Sequence, residues 1–183
     1  MGRRHTDGCD THVTNGPIDL PFAELDARLR AGGFSQRGFL GPGERLDDVI
    51  ARDSARLARL GVTHEDVADR LESVLALGER HRERWVRVEG DLRVHAIVYK
   101  GYQLCPWTTE PDDGQCTAGG GVRFASIDWR IRNDRTGAEL RGPGLIVHLI
   151  RAHHFFEGPA SPYRVDPDAL CALLGLGSGT RRD

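Results

Sequence analysis

The segment that decides the fold is VRFASIDWRIRNDRTGAELRGPGLIVHLIRAHHFFEG, residues Val122 to Gly158. In its first part, apolar residues at Phe124, Ile127, Trp129 and Ile131 alternate with polar ones, which is the pattern of a half-buried strand. NDRTG, residues 133–137, has the composition of a turn between antiparallel strands. After the glycines at 142 and 144 the sequence becomes apolar, so it predicts a helix from about residue 145 that ends just before Gly158.

The preceding segment predicts a β-hairpin. Residues 84–101, RWVRVEGDLRVHAIVYKG, have apolar side chains at Trp85 and Val88 and again at Leu92 and Val94. The EGD triplet between them supplies the turn. Residues 102–121 are rich in proline, glycine and aspartate and are interpreted as an irregular loop.

Helices are predicted at both ends of this sheet. Residues 21–33, 44–61 and 63–78 have apolar residues three and four positions apart. Gly61 ends one helix, and Thr63 begins the next as an N-cap with Asp66 three positions later. A short last helix follows Asp166.

The chain of 183 residues is therefore predicted to be an α+β protein, with an N-terminal helical segment packed on a small antiparallel sheet and C-terminal helices. We divide it into a flexible tail (1–20), a helical region forming an αα-hairpin (21–80), and an antiparallel sheet plus helices with a metal site (81–183). These parts are expected to form one compact domain, which is long enough to bury a core without disulfides.

Composition restricts the function. The chain has 25 basic and 27 acidic residues, a net charge of −2, so no overall field attracts nucleic acid. No apolar run approaches the roughly 20 residues that span a bilayer, and no apolar stretch follows MGRRHTDGC as in a signal peptide. We therefore expect a cytoplasmic protein whose four cysteines are free or bound to metal.

Two cysteines and two histidines predict a zinc site. Cys105 and Cys116 bracket a ten-residue loop, and His148 and His153 follow on the predicted helix. Two thiolates and two imidazoles are a common ligand set for tetrahedral zinc. Because four protein ligands leave no position for water, this set predicts a structural metal.

The spacing of these ligands departs from the usual pattern in two ways. Paired cysteines are commonly about two to four residues apart, whereas ten residues separate these two. Residues five apart on a straight helix point about 140° away from each other. We therefore expect the last helical turn to loosen, and we favour His153 over the competing ligand His154.

The same region allows an alternative, a small metal-dependent enzyme of the hydrolase type. If only one cysteine binds, an open coordination position appears, and Glu157 is the candidate general base because it lies four residues after His153. His154 and Tyr102 are weaker catalytic candidates, and Asp128 is a candidate partner of a ligand.

Other patterns indicate further, weaker hypotheses. Aromatic and basic residues in the C-terminal half predict a binding site for a small anionic ligand. The residues are Trp107, Trp129, Arg151 and Arg164. Residues 55–71 match a DNA-binding helix-turn-helix, but carboxylates lead its second helix, so nucleic-acid binding is disfavoured. The tail holds a second Cys/His cluster of His5, Cys9 and His12. Cys171 is predicted to be a core residue, and the oligomeric state is left open.

Overall fold

The computed structural model describes residues 22–108, 116, 118 and 122–177. The chain is an α+β protein, as predicted, with three helices before a four-stranded sheet and two after it. In chain order the elements are α1 (Phe22–Leu29), α2 (Leu46–Leu60), α3 (His64–Arg80), β1 (Val86–Glu89), β2 (Leu92–Val98), β3 (Ile127–Asn133), β4 (Glu139–Pro143), α4 (Leu145–His153) and α5 (Pro167–Leu174).

The predicted end of α2 and the predicted start of α3 are confirmed. Gly61 adopts the left-handed conformation at φ 68° and ends α2. Thr63 begins α3 through a capping box, in which its hydroxyl accepts from the Asp66 amide and the Asp66 carboxylate accepts from the Thr63 amide. α5 begins after Asp166, as predicted, and the Asp166 carboxylate caps it by accepting from the Ala169 amide at 3.1 Å.

The sheet is antiparallel, with strands in the order β1-β2-β3-β4. Its inner face carries Val94, Ala96, Trp129 and Ile131, which are all buried. α3 packs on this face closely enough that a Cβ at Gly78 would be 3.0 Å from Val94. The outer face carries the alternate residues of each strand, which are more exposed.

Three predicted boundaries are wrong. α1 ends at Leu29, four residues before the predicted end at Gly33. β3 begins at Ile127, because the chain turns at Phe124, whose φ is 67°. α4 ends at His153 rather than just before Gly158, since His154 takes the left-handed conformation at φ 54°. The amides of His154 and Phe155 donate to the Ile150 and Leu149 carbonyls, which closes the helix and directs the next residues into the core.

The core joins the helices to the inner face of the sheet. α4 contacts α3, while α5 contacts α2, β3 and β4. Phe155 and Phe156, which follow α4, are fully buried, and Cys171 is buried on α5 as predicted. Within the ranges described above, no helix has the length and apolar character needed to cross a membrane.

Candidate metal centre

Four side chains converge between the long β2–β3 connection and α4. Cys105 and Cys116 come from the connection, and His148 and His153 come from the helix. One ligand atom from each residue lies within 4.8 Å of the other three. All four residues are buried, none more than 8% exposed. The structure thus contains a buried Cys2His2 cluster that could hold a metal ion.

The distances measured around His153 match those of a tetrahedral site. Its Nε2 atom lies 3.3 Å from the Cys105 Sγ atom and 3.4 Å from the Cys116 Sγ atom. Zinc bonds of about 2.3 Å to sulfur and about 2.0–2.1 Å to nitrogen hold these ligand atoms about 3.5 Å apart. The distances from His153 Nε2 to the two sulfur atoms are therefore close to those that a shared zinc ion would impose.

One atom in the cluster lacks a partner. The Nε2 atom of His148 is buried and makes no hydrogen bond with any described residue. A buried polar atom without a partner costs about 1–3 kcal/mol. A metal ion among the four ligands is one group that would satisfy an imidazole nitrogen there.

Electrostatics in the cluster favour one thiolate and neutral imidazole. A hydrogen bond from Cys105 lowers the pKa of Cys116, and contacts with His148 and His153 lower it further. The same contact, together with burial, raises the pKa of Cys105. Burial lowers the pKa of His153 despite its contact with Cys116. Thiolate and neutral imidazole are the forms that bind metal.

The two histidines meet without the expected loosening of the helix. α4 includes His153 as its last residue, and the left-handed residue comes only afterwards. The two rings nevertheless lie 5.2 Å apart in a T-shaped arrangement. Since the rise over five residues is about 7.5 Å, the reach of the side chains closes this gap. The expectation of an unwound last turn was wrong, and the cluster contains His153 but not His154.

The cysteine-bearing loop is fastened by α1 and by an aromatic stack. Arg28 of α1 donates to the backbone carbonyls of Pro106 (3.2 Å) and Thr108. Trp107 stacks flat on the His153 ring at 4.1 Å, and Phe155 meets Trp107 edge-on at 5.8 Å. These rings cover the cluster and help to exclude water from it. The sequence showed the aromatic residues but not their stacking partners.

The two weaker catalytic candidates lie at the surface. His154 is exposed and stacks on His64 of α3, with ring centroids 4.2 Å apart. Tyr102 is 60% exposed. Neither residue belongs to the metal-ligand cluster.

Glu157 is buried, but its carboxylate is hydrogen-bonded outside the metal-ligand cluster. It accepts a hydrogen bond from the Ser161 hydroxyl at 2.5 Å, and the Arg164 guanidinium donates to its backbone carbonyl. Burial raises the pKa of Glu157 to about 7. Because α4 ends at His153, Glu157 does not share a helical face with that residue as predicted. Among the described residues, the cluster contains no carboxylate.

The residues expected to bind an anion are distributed over separate contacts. Trp129 is buried and donates to the Pro143 carbonyl at 3.0 Å, while Trp107 covers the metal cluster. Arg151 pairs with carboxylates of α3, and Arg164 forms a bidentate pair with buried Asp53 at 2.8 and 2.9 Å. Anion binding at these four residues stays a prediction.

The acidic residues that weaken the helix-turn-helix hypothesis lie at the surface of the protein. Glu65, Asp66 and Asp69 are exposed at the start of α3, where they would face the phosphates of DNA.

Asp128, the candidate partner of a metal ligand, lies on β3 near Tyr99. His5, Cys9 and His12 lie outside the described residues.

No protein family, curated protein or solved structure matches this chain in sequence or fold.

Proposed function

We propose that this is a zinc-binding protein in which Cys105, Cys116, His148 and His153 hold one structural zinc ion. The observation that carries the proposal is the convergence of four buried sulfur and nitrogen ligands from two parts of the chain. Zinc is the metal proposed because tetrahedral sites with two sulfur and two nitrogen ligands favour it over magnesium, calcium or manganese.

The role proposed for the metal is to fasten the β2–β3 connection to α4. The described residues of the connection, between 99 and 126, belong to no helix or strand, so no regular ladder of backbone hydrogen bonds holds them. A site of this kind forms only in the folded chain, and therefore metal binding adds to the free energy of unfolding. At free zinc about a thousand times the dissociation constant, the gain is about 4 kcal/mol.

The metal-dependent enzyme remains the alternative, with less support. A catalytic zinc commonly keeps one coordination position for water, whereas this cluster offers four protein ligands. The Trp107 ring covers His153, and the candidate base Glu157 is hydrogen-bonded to Ser161. We propose a binding or accessory role for the protein as a whole.

The test is metal analysis of the full chain purified under reducing conditions. We expect about one zinc per chain, and we expect Cys105→Ser to lose the metal and to unfold at lower temperature. Cys171→Ser is the matched control, because Cys171 is also a buried thiol but lies outside the cluster. It should keep the zinc.

Cobalt substitution tests the ligand set without a variant that might not fold. Tetrahedral cobalt with two thiolates gives visible d–d bands and a sulfur charge-transfer band. Removal of metal with a chelator should also unfold the chain or lower its melting temperature. Reduced protein that contains no metal and takes up neither zinc nor cobalt would refute the proposal, and loss of metal without loss of stability would favour the enzyme.

A further inference from the structure

The outer face of the sheet carries a groove that none of the four proposed metal ligands lines. Its volume is about 420 Å³, within the range of about 300–1,000 Å³ typical of small-molecule sites. Arg37, Arg130 and Arg141 line it together with His95. Asp128 is the one carboxylate among the described residues of its lining. The groove is therefore predominantly basic in a protein of net charge −2.

Three of these basic side chains form a row across the sheet. His95 of β2 pairs in register with Arg130 of β3, and Arg130 pairs with Arg141 of β4. Like charges directly opposite each other on neighbouring strands destabilise a sheet. Glu139 relieves part of this repulsion, since it accepts two hydrogen bonds from Arg130 at 2.7 and 2.9 Å.

Two guanidinium groups in the groove have no such compensation. Arg141 and Arg37 are exposed, and neither forms an ion pair with any carboxylate in the described part of the chain. Arg37 comes from the loop between α1 and α2, so the two charges approach the groove from different elements. A guanidinium fork matches the oxygens of a carboxylate or phosphate.

The rest of the lining fits the body of a small molecule. Tyr99 and Tyr163 are large aromatic residues that remain 52% and 39% exposed, and both line the groove. Pro162 and Ile97 add apolar surface. Asp128, which interacts with Tyr99, would repel a second anion and accept hydrogen bonds from an uncharged group.

We propose that this groove binds a small ligand with one anionic head group, a carboxylate or phosphate, at Arg37 and Arg141. Its planar or apolar body lies against Tyr99 and Tyr163. The proposal places an anion site on the outer face of the sheet, whereas the sequence interpretation placed one near Trp107, Trp129, Arg151 and Arg164, of which Trp129 alone lines the groove. It does not depend on the identity of the metal.

A small ligand fits better than a nucleic-acid strand, because the arginines that come next on β2 and β3 are paired with a carboxylate. Arg93 and Arg132, next in the strands, both pair with Asp134 at 2.5 and 2.9 Å. Arg70 pairs with Glu89 at the far edge. A single strand needs a continuous basic groove for its phosphates.

The experiment is a titration of the full chain, loaded with metal, at low salt. Amide chemical shifts in NMR spectra are the readout. Phenyl phosphate and benzoate are the anionic probes, and phenol and benzyl alcohol are their neutral controls. We expect at least one anion to bind with a dissociation constant of about 1 mM or below, equivalent to about 4 kcal/mol. Shifts should concentrate in residues 95–99, 128–130 and 141–143. The preferred anion identifies the head group.

Matched variants locate the anion. Arg141→Gln and Arg37→Gln should each weaken binding about tenfold, while Arg87→Gln should have little effect. Arg87 is also an exposed arginine on the same face but does not line the groove. All three positions are at the surface, so folding should be preserved, and thermal melting checks this.

Four results would overturn the proposal. They are the absence of shifts with either anion at millimolar concentration, equal binding of the neutral probes, and equal weakening by Arg87→Gln. The fourth is an oligonucleotide that binds far more tightly than a nucleoside monophosphate, which would indicate an extended nucleic-acid surface instead.

Discussion

Because the carboxyl of Glu157 is buried, we expect the free energy of unfolding to depend on pH in a specific way. Burial raises its pKa from 4.5 to about 7 in the folded chain. A carboxyl of this kind keeps its proton at pH values where the unfolded chain has lost it. The folded state therefore binds more protons between pH 4.5 and 7, and the free energy of unfolding falls as the pH rises through this window.

The size of the effect follows from the pKa difference. At about 1.4 kcal/mol per pKa unit, a rise from 4.5 to about 7 corresponds to about 3 kcal/mol. In the neutral form the carboxyl O–H can donate to Ser161, whose hydroxyl can then donate to the Gly38 carbonyl, 3.4 Å away. Glu157→Gln reproduces the neutral form, because its amide can make the same donation without ever ionising.

The assay is urea unfolding of wild type and Glu157→Gln at several pH values between 5 and 8. The variant should gain stability relative to wild type as the pH rises, by up to about 3 kcal/mol at pH 8. Comparing two proteins is necessary because other groups, including His64, also titrate. Burial and His154 lower the pKa of His64 to about 4 in the folded chain. Because the unfolded chain then binds more protons, His64 lowers the free energy of unfolding as the pH falls below 6.5.

Glu65→Gln, at an exposed position, controls for the loss of one negative charge. A difference between Glu157→Gln and wild type that stays constant from pH 5 to 8 would show that Glu157 does not carry the expected proton. A variant that becomes less stable than wild type with rising pH would contradict the reasoning outright.

Two further substitutions test the supports of the metal centre and of α4. Arg28→Gln removes the hydrogen bonds to residues 106–108, so zinc affinity measured against a chelator should fall about tenfold, and unchanged affinity would exclude a positioning role. Gly144→Ala would place a Cβ 2.7 Å from that of Phe124 and should destabilise the protein by about 2 kcal/mol or more in urea unfolding. Gly101→Ala, where nothing lies within 4 Å, should change stability little, and equal effects of the two substitutions would contradict the packing at α4.

The clustering of two cysteines and two histidines could be predicted from sequence because metal-ligand chemistry is restrictive. Cysteine and histidine are the usual zinc ligands, and two of each in a loop and a helix leave few combinations. Capping residues such as Thr63 and Asp66 were equally informative, since a capping box depends on positions three residues apart. Both kinds of inference use local spacing or residue type alone.

The roles of Glu157 and of the outer face of the sheet could not be predicted in the same way. The position of Glu157 depended on the end of α4, and a histidine rather than a glycine takes the left-handed conformation there. The row of His95, Arg130 and Arg141 depends on strand register. A connection of more than twenty residues between β2 and β3 does not fix that register from sequence.

The metal centre and the basic groove are joined through α4 and β4. Pro143 ends β4 and lines the groove, and α4 begins two residues later and carries both histidines. The sheet therefore holds one end of α4, while the proposed metal holds its middle and last residues. If zinc leaves, α4 loses its attachment to the β2–β3 connection, and the Pro143 wall loses part of its support. We expect metal-free protein that remains folded to bind the anionic probe more weakly than metal-replete protein, and equal affinity would show that the two sites are independent.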